Sequence, residues 1–406
     1  MRLQVRSISI QLLGLFFLLI SCGEEKEDFN EAQEYISQTQ KEFAPDKRVA
    51  LFEITSEESD ATEVLKGETN LPRAKKALLA KLDSAGVKYI DSIQVLPAKD
   101  LQGKEFGVID VSVANLRGEG KHSAELVTQA TLGTPVKIWK RTDQWYYIQT
   151  PDDYLAWVDH GGITTMSSEE FKNWKASEKV IYTKTFGQSY TGISKDSVVS
   201  DLVIGDILEL EAERENFFKV RYPDGRAAFI PKDDSQIYSE WLKNTEASPE
   251  NLVATSEKLM GLPYLWGGTS AKGVDCSGFT KTIYFMNGLV VPRDASQQVH
   301  EGKLIDSTGD FSKLEVGDLL FFGRPATDST SEKVVHVGMW IGNDQFIHSS
   351  GDVHISSMDE NAPDFDKYNR DRYLRAKRYL GSDSRGLKYL KNRSIFEAEP
   401  ADSLNF

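Results

Sequence analysis

The sequence predicts an α+β protein built from several units in series rather than around one continuous core. Three observations support this prediction: the length of 406 residues, an internal repeat near the middle of the chain, and a C-terminal third in which a glycine-rich loop leads into a helix and then into strands. Hydrophobic residues make up 40% of the chain, which is enough to form packed cores and argues against a largely disordered protein.

The composition excludes several classes of protein. The chain carries 48 Lys and Arg against 62 Asp and Glu, a net charge of −14, whereas a general nucleic-acid binder needs a basic surface. No apolar run approaches the ~20 residues that cross a bilayer. Cys22 and Cys276 are the two cysteines, so a framework of disulfides is also excluded.

The N-terminus has the features of an export signal. Two arginines precede an apolar stretch over 12–20, and the sequence Leu-Ile-Ser-Cys22 that follows resembles a bacterial lipobox. We therefore expect a signal peptide over 1–21, lipid attached to Cys22 and an acidic tether over 22–46 with room for one helix. This places the protein outside the cytoplasm, anchored to a membrane of the bacterial envelope. The alternative is an ordinary signal peptide in which the cysteine is accidental.

A small α/β segment is predicted over 47–104. Residues 48–54 and 89–96 have the composition of strands, and a helix is expected to begin at Asn70-Leu71-Pro72 and to end at Gly86. We find no catalytic chemistry in this segment.

An internal repeat follows, in which residues 131–158 match residues 203–230 at a constant offset of 72. Each copy predicts three short strands with an acidic turn between the second and third, a pattern that resembles a bacterial SH3-type barrel. We place the two barrels at 105–170 and 178–240. Tyr154 aligns with Arg226, so the fold does not require an aromatic ring there, and Tyr154 becomes a candidate for contact with a ligand. The matched positions include Gly133 with Gly205, Trp145 with Phe217, Ile148 with Val220, and Trp157 with Phe229.

Cys276 lies in the most informative stretch of the chain. Ser248-Pro249 begins a helix, and a glycine-rich loop from Tyr264 then delivers Cys276 to the start of a second helix. Backbone N–H groups at a helix start favour the thiolate, the form of cysteine that attacks carbonyl carbons. The alternative is a buried cysteine with a structural role only.

Two of the six histidines can serve this cysteine. His336 and His348 lie on adjoining predicted strands, and their numbering predicts that they face each other on one side of the sheet. His336 would then accept the thiol proton while His348 orients its ring. Two alternatives remain: a zinc site formed by Cys276, His336 and His348, or two unrelated core histidines.

The block at 247–381 resembles the NlpC family of papain-like cell-wall cysteine peptidases. Together with the two barrels, the chain is similar to γ-D-glutamyl-L-diamino-acid endopeptidases of the dipeptidyl-peptidase VI type. The resemblance implies an α+β fold: a papain-like cysteine peptidase domain preceded by two small SH3-like β-barrels and a short N-terminal α/β segment, with a tail over 382–406. It rests on Tyr264-Leu-Trp-Gly-Gly, Asp275-Cys276-Ser277-Gly278, Pro292-Arg293, Val316 to Phe322, His336-Val-Gly and His348.

The resemblance also implies roles for single residues. Cys276 is expected to be the nucleophile, His336 the base and His348 the orienting third member. The substrate-binding residues divide into three groups: Tyr264 beside the nucleophile, Asp275 and Ser277 around the γ-D-Glu pocket, and Asp294 with Glu125 and Tyr154 around the substrate's ammonium group.

The activity implied is hydrolysis of the γ-D-glutamyl–diamino acid bond in peptidoglycan-derived peptides with a free N-terminal L-Ala. No metal, organic cofactor or nucleic acid is expected to take part, the membrane is reached through Cys22, and a monomer is favoured. The diamino acid, meso-diaminopimelate or L-Lys, stays open. Two alternatives are a broad endopeptidase of cross-linked wall and a non-catalytic wall-binding lipoprotein.

Overall fold

The computed structural model describes residues 31–60, 62–392 and 394–396. The predicted signal peptide, the lipobox with Cys22 and the first part of the tether lie outside the described residues. Within the described part of the chain, no helix is both long and apolar enough to cross a membrane.

The N-terminal unit is a three-stranded sheet with two helices. Ala32 and Ile36 of the first helix are buried, so the segment predicted as a tether packs onto this unit from residue 31 onward. The middle strand was missing from the sequence prediction, because only Leu65 and Thr69 are buried along its mostly polar length. The elements are α1 Glu31–Phe43, β1 Phe52–Ser59, β2 Thr62–Thr69, α2 Pro72–Ala85 and β3 Tyr89–Val95, with sheet order β1-β2-β3.

The first barrel is a seven-stranded sheet in the order β10-β4-β7-β8-β9-β5-β6. The three strands predicted from the repeat are β7 to β9, and Pro151-Asp152 lies in the turn between the last two. The strands are β4 Phe106–Ile109, β5 Val113–Arg117, β6 Leu126–Thr131, β7 Pro135–Thr142, β8 Trp145–Gln149, β9 Leu155–Asp159 and β10 Ile163–Met166.

The second barrel repeats this architecture after helix α3 (Ser168–Ala176). The bulge between Ile138 and Lys140 of the first barrel recurs between Leu210 and Ala212, again at an offset of 72. Its sheet order is β13-β12-β16-β15-β14-β11-β17. The strands are β11 Lys179–Tyr182, β12 Phe186–Tyr190, β13 Val198–Val203, β14 Ile207–Arg214, β15 Phe217–Arg221, β16 Ala227–Pro231 and β17 Ser235–Ile237, followed by helix α4 Tyr238–Asn244.

The C-terminal domain packs a buried helix, α6, against a six-stranded antiparallel sheet in the order β21-β26-β22-β23-β24-β25. The elements outside this sheet are shorter than α6. The elements are α5 Pro249–Glu257, β18 Thr269–Ser270, β19 Gly273–Val274, α6 Cys276–Met286, β20 Leu289–Val290, α7 Ala295–Gln298, β21 Lys303–Asp306, β22 Leu319–Arg324, β23 Lys333–Gly342, β24 Gln345–Ser350, β25 Asp352–Ser357, α8 Lys367–Arg370, β26 Tyr373–Arg378 and β27 Lys388–Tyr389.

The prediction of a tail over 382–406 is wrong for its first half. β27 pairs with β20, and Leu390 and Phe396 are buried in the same core as α6. The apolar residues are widely spaced in a polar sequence, so neither helical nor strand periodicity revealed them.

Ion pairs from the acidic turn of the first barrel join this barrel to the C-terminal domain, called the catalytic domain below because it carries Cys276. Asp152 is buried and pairs with Lys281 of α6 at 2.7 Å, and Asp153 pairs with Lys388 at 2.6 Å. Because a buried carboxylate is costly without a partner, these lysines fix the barrel against the domain that carries Cys276.

Candidate active site

Cys276 is the first residue of α6, and its position is fixed by close backbone packing. Asp275 caps the helix by accepting a hydrogen bond from the Gly278 N–H at 2.7 Å. Gly278 lies so close to the loop before the helix that a Cβ there would stand 1.9 Å from the Gly268 carbonyl oxygen. Glycine is therefore required at 278 for the loop to present the cysteine.

The buried side chain of Arg293 stabilises the N-terminus of this helix. Its guanidinium donates to both oxygens of Asp275, at 3.0 and 2.5 Å, and to Ser277 Oγ at 3.0 Å. It also donates to Thr128 Oγ1 of the first barrel at 2.9 Å. Because Asp275 and Ser277 are turned toward Arg293, the structure gives them a supporting role, and their contact with a γ-D-Glu group stays a prediction.

The structure brings His336 and His348 together, but not as directly opposed residues. The register that pairs Met339 with Ile347 sets Gly338, not His336, beside His348. Because Gly338 has no side chain, the His348 ring reaches diagonally, and its Nδ1 lies 2.8 Å from His336 Nε2. The prediction of an opposed pair is therefore wrong in register, although the two rings do meet.

A serine that the sequence analysis did not select completes this chain of hydrogen bonds. His348 Nε2 lies 3.0 Å from Ser356 Oγ on β25, and both residues are buried. For His336 Nδ1 to accept a proton, its Nε2–H must donate to His348 Nδ1, and His348 Nε2–H must then donate to Ser356. In this tautomer Ser356 Oγ is the acceptor for the buried His348 N–H.

The backbone of Val337, next to His336, lies close enough to the Cys276 thiol to act on its pKa, which it lowers. Burial raises the pKa of Cys276 to about 12, with the Asp275 carboxylate adding to the shift. Burial likewise lowers the pKa of His336 well below its usual value and that of His348 to about 3. Burial thus opposes the thiolate that the helix start favours, and we expect the proton to leave as the carbonyl is attacked.

Tyr264 lies beside the nucleophile, as the resemblance implied. Burial raises the pKa of its hydroxyl, and the neighbouring Cys276 and Asp275 raise it further. The hydroxyl is therefore protonated at neutral pH and available as a hydrogen-bond donor to an oxyanion.

Two of the three residues predicted around the substrate's ammonium group meet across the barrel interface. The Tyr154 hydroxyl donates to Asp294 Oδ2 at 3.3 Å, next to the Arg293 guanidinium. Glu125 instead accepts a hydrogen bond from the indole N–H of Trp266 at 2.7 Å. The role of Glu125 at the amine therefore stays a prediction. The Trp266 side chain is 63% exposed beside the loop that precedes Cys276, and the sequence motif gave no role to it.

The zinc alternative finds no support in the side-chain arrangement. The ring nitrogens of His336 and His348 that face each other are engaged in a mutual hydrogen bond. Nowhere in the described ranges do three His, Cys, Asp or Glu side chains converge as a metal would require.

The pH dependence of alkylation reports the protonation state of the resting site. Because burial raises the pKa of Cys276 to about 12, its reaction with iodoacetamide should accelerate about ten-fold per pH unit from pH 6 to 10. Inactivation rates measured across this range check the prediction. A rate that is flat over this range and falls off only below pH 6 would instead show a thiolate–imidazolium pair at rest.

Loss of the serine hydroxyl should impair turnover rather than binding. In Ser356→Ala the buried His348 N–H loses its acceptor, which costs ~1–3 kcal/mol and corresponds to a ten- to hundredfold lower kcat, with KM little changed. Ser356→Thr keeps the hydroxyl and should retain most activity. The matched control is Ser357→Ala, whose hydroxyl bonds the Asp344 carbonyl instead. Wild-type kcat in Ser356→Ala would exclude the role in fixing the tautomer.

Comparison with known proteins identifies the families to which two parts of the chain are similar. A model described as the NlpC/P60 family matches residues 261–373, and one described as the bacterial dipeptidyl-peptidase Sh3 domain matches residues 116–163. A γ-D-glutamyl-L-lysine dipeptidyl-peptidase of Bacillus cereus is 31% identical over 265 residues, 63% of this chain and 76% of the relative. Dipeptidyl-peptidase 6 of Lysinibacillus sphaericus is 27% identical over 277 residues, 63% of this chain and 93% of the relative.

A solved structure gives the same result. The crystal structure of an NlpC/P60 family protein from Bacillus cereus superposes with a TM-score of 0.57 at 26% identity, covering 68% of this chain and 99% of that one. The resemblance seen in the sequence motifs is confirmed. From the extent of these matches, the chain belongs to the NlpC/P60 family of peptidoglycan-directed cysteine peptidases.

Proposed function

We propose that this chain hydrolyses the γ-D-glutamyl–L-diamino acid bond of peptidoglycan-derived peptides whose N-terminal L-Ala is unblocked. The observation that carries the proposal is the contact between Tyr154 of the first barrel and Asp294 of the catalytic domain. The names of the relatives, γ-D-glutamyl-L-lysine dipeptidyl-peptidases, support the same bond.

The contact supports a free amine because of where it lies and what it offers. Arg293 connects Asp294 to Asp275, the cap of the helix that begins with Cys276, so the pair lies near the nucleophile. A carboxylate and a phenol oxygen can both accept hydrogen bonds from an ammonium group, and a desolvated ammonium requires such partners. If the peptide were still linked to glycan through its N-terminal nitrogen, that nitrogen would carry no positive charge for Asp294 to bind.

The proposed reaction uses the residues that the sequence motifs select as catalytic. Cys276 Sγ attacks the γ-carbonyl carbon while its proton passes to His336 Nδ1, and the resulting imidazolium is stabilised through its Nε2–H by His348. The protonated Tyr264 hydroxyl would donate a hydrogen bond to the oxyanion. Collapse expels the amine of the diamino acid, which takes the proton from His336. Water activated by the same ring then hydrolyses the thioester and frees Cys276.

Blocking the substrate's amine tests the proposal directly. Acetylation of L-Ala removes a charge-assisted hydrogen bond, which costs ~1.5–3 kcal/mol and predicts at least a ten- to hundredfold loss in kcat/KM. Asp294→Asn should cause a similar loss on the free peptide and little further loss on the acetylated one, because both changes disrupt one interaction.

The measurement is cleavage of defined muropeptides with product masses as the readout. Arg226→Ala is the matched control, since Arg226 aligns with Tyr154 in the repeat and pairs with Asp224 on the second barrel. Equal cleavage of free and acetylated peptides would leave a broad endopeptidase. Absence of cleavage by the wild type, with Cys276 intact, would leave the non-catalytic wall-binding alternative.

We also propose that the enzyme is exported and anchored by lipid on Cys22. The support is the lipobox-like sequence alone. Cys22→Ala should release the protein from the membrane fraction of expressing bacteria, because the anchoring acyl chains attach at that sulfur. Detergent-phase partitioning measures this, and a variant that stays in the detergent phase would refute the lipid anchor.

A further inference from the structure

The N-terminal unit reaches the amine-binding residues through one short segment, Asp46 to Val49. The backbone carbonyl of Arg48 accepts a hydrogen bond from Leu155 N–H at 2.7 Å, at the start of strand β9 of the first barrel. Gln149 donates to the carbonyl of Val49 at 3.1 Å. This segment therefore contacts the ends of strands β8 and β9 that flank the turn with Tyr154.

Arg48 is held there between two carboxylates. Its Nε and Nη2 donate to the two oxygens of Asp46, at 2.8 and 2.7 Å. Its Nη1 donates to Asp294 Oδ2 at 2.7 Å and to Ser296 Oγ at 2.8 Å. Arg48 thus contacts the same oxygen of Asp294 that accepts the Tyr154 hydrogen bond, and the side chains of Arg48 and Asp294 are 33% and 26% exposed.

Asp46 is itself anchored to the catalytic domain, since Gln297 of α7 donates to its Oδ2 at 2.9 Å. Although burial acts to raise the pKa of Asp46, the hydrogen bonds and charge of Arg48 lower it below its usual value. Asp46 is therefore ionised at neutral pH. Two carboxylates, Asp46 and Asp294, flank one guanidinium, and this group carries one negative charge in excess. The neighbouring Arg293 does not alter this, because Asp275 neutralises it.

We propose that Asp46 and Arg48 form the third side of the amine subsite, and that Asp46 sets its charge by neutralising Arg48, so that Asp294 keeps one negative charge for a monocationic N-terminal amine. This inference rests on the proposed function. It gives the N-terminal unit, which carries no catalytic residue, a role in substrate selection.

The docking of the segment does not depend on these charges alone. Leu51 and Leu96 of the N-terminal unit pack with Trp139 and Leu155 of the barrel in one buried apolar cluster. Substitution at 46 or 48 should therefore change the charge of the subsite without detaching the unit. Thermal unfolding of each variant checks this.

The charge count predicts that a second substitution rescues the first. In Asp46→Asn, Asp294 is the one carboxylate that still pairs with the Arg48 guanidinium, so the subsite becomes neutral. KM for the free-amine peptide should then rise about ten-fold, with kcat nearly unchanged. The double variant Asp46→Asn/Arg48→Met restores one excess negative charge and should return KM to within about three-fold of wild type. Neither variant should change cleavage of the N-acetylated peptide.

The controls separate this inference from its alternatives. Lys47→Met removes an exposed neighbouring cation and should neither change wild-type KM nor rescue Asp46→Asn. A double variant as weak as Asp46→Asn, or weaker, would show that Arg48 is needed to position Asp294 and would overturn the charge-setting role. Rescue of Asp46→Asn by Lys47→Met would also overturn this role, because it would show that KM depends only on the general surface charge.

Failure of the proposed function is recognised separately. If the wild type cleaves free and acetylated peptides equally, the requirement for a free amine is wrong whatever the variants do. If the wild type discriminates but the rescue fails, only the role of Asp46 and Arg48 is lost. Calorimetric binding of the free-amine peptide to Cys276→Ala, with and without the two substitutions, gives the same comparison without turnover.

Discussion

The ion pair between Arg293 and Asp275 is the interaction on which the active site depends. Arg293 is 1% exposed, and its guanidinium joins the cap of the catalytic helix, Ser277 and Thr128 of the first barrel. A buried charge that loses its partner costs ~3–5 kcal/mol, so neither member can change alone without cost. The same guanidinium lies beside Asp294, and one residue therefore couples the nucleophile, the barrel and the amine subsite.

The catalytic histidines show how a site can be prepared without charge at rest. Burial lowers the pKa of both rings and so favours their neutral forms, and His336 Nδ1 is the acceptor in the tautomer in which His348 donates to Ser356. The diagonal approach of the rings depends on Gly338, whose missing side chain opens the space between neighbouring strands. A neutral pair that becomes charged only during attack places electrostatic stabilisation in the transition state rather than in the resting enzyme.

The proposed substrate site combines residues from three parts of the chain. The catalytic domain supplies the nucleophile and bases, the first barrel supplies Tyr154 and the contact with Trp266, and the N-terminal unit adds Arg48. The acidic turn of the barrel pairs with Lys281 and Lys388 and so holds the barrel in a fixed position on the catalytic domain. In the proposed function all three units take part in selecting the substrate, because Asp294 of the catalytic domain contacts Tyr154 of the first barrel and Arg48 of the N-terminal unit.

The sequence by itself determined the family and the fold class with its repeated barrels, and it selected Cys276, His336 and His348 as the candidate catalytic residues. These are encoded locally: a 72-residue offset, a glycine-rich loop before Cys276, and histidines on adjacent strands are all visible in short windows. The tertiary structure decided the register that sets Gly338 against His348, the burial that keeps the thiol protonated, and the partners Ser356 and Arg48. These depend on contacts between residues far apart in the chain, such as the 246 positions that separate Arg48 from Asp294, and no local pattern records which charge will be buried beside which.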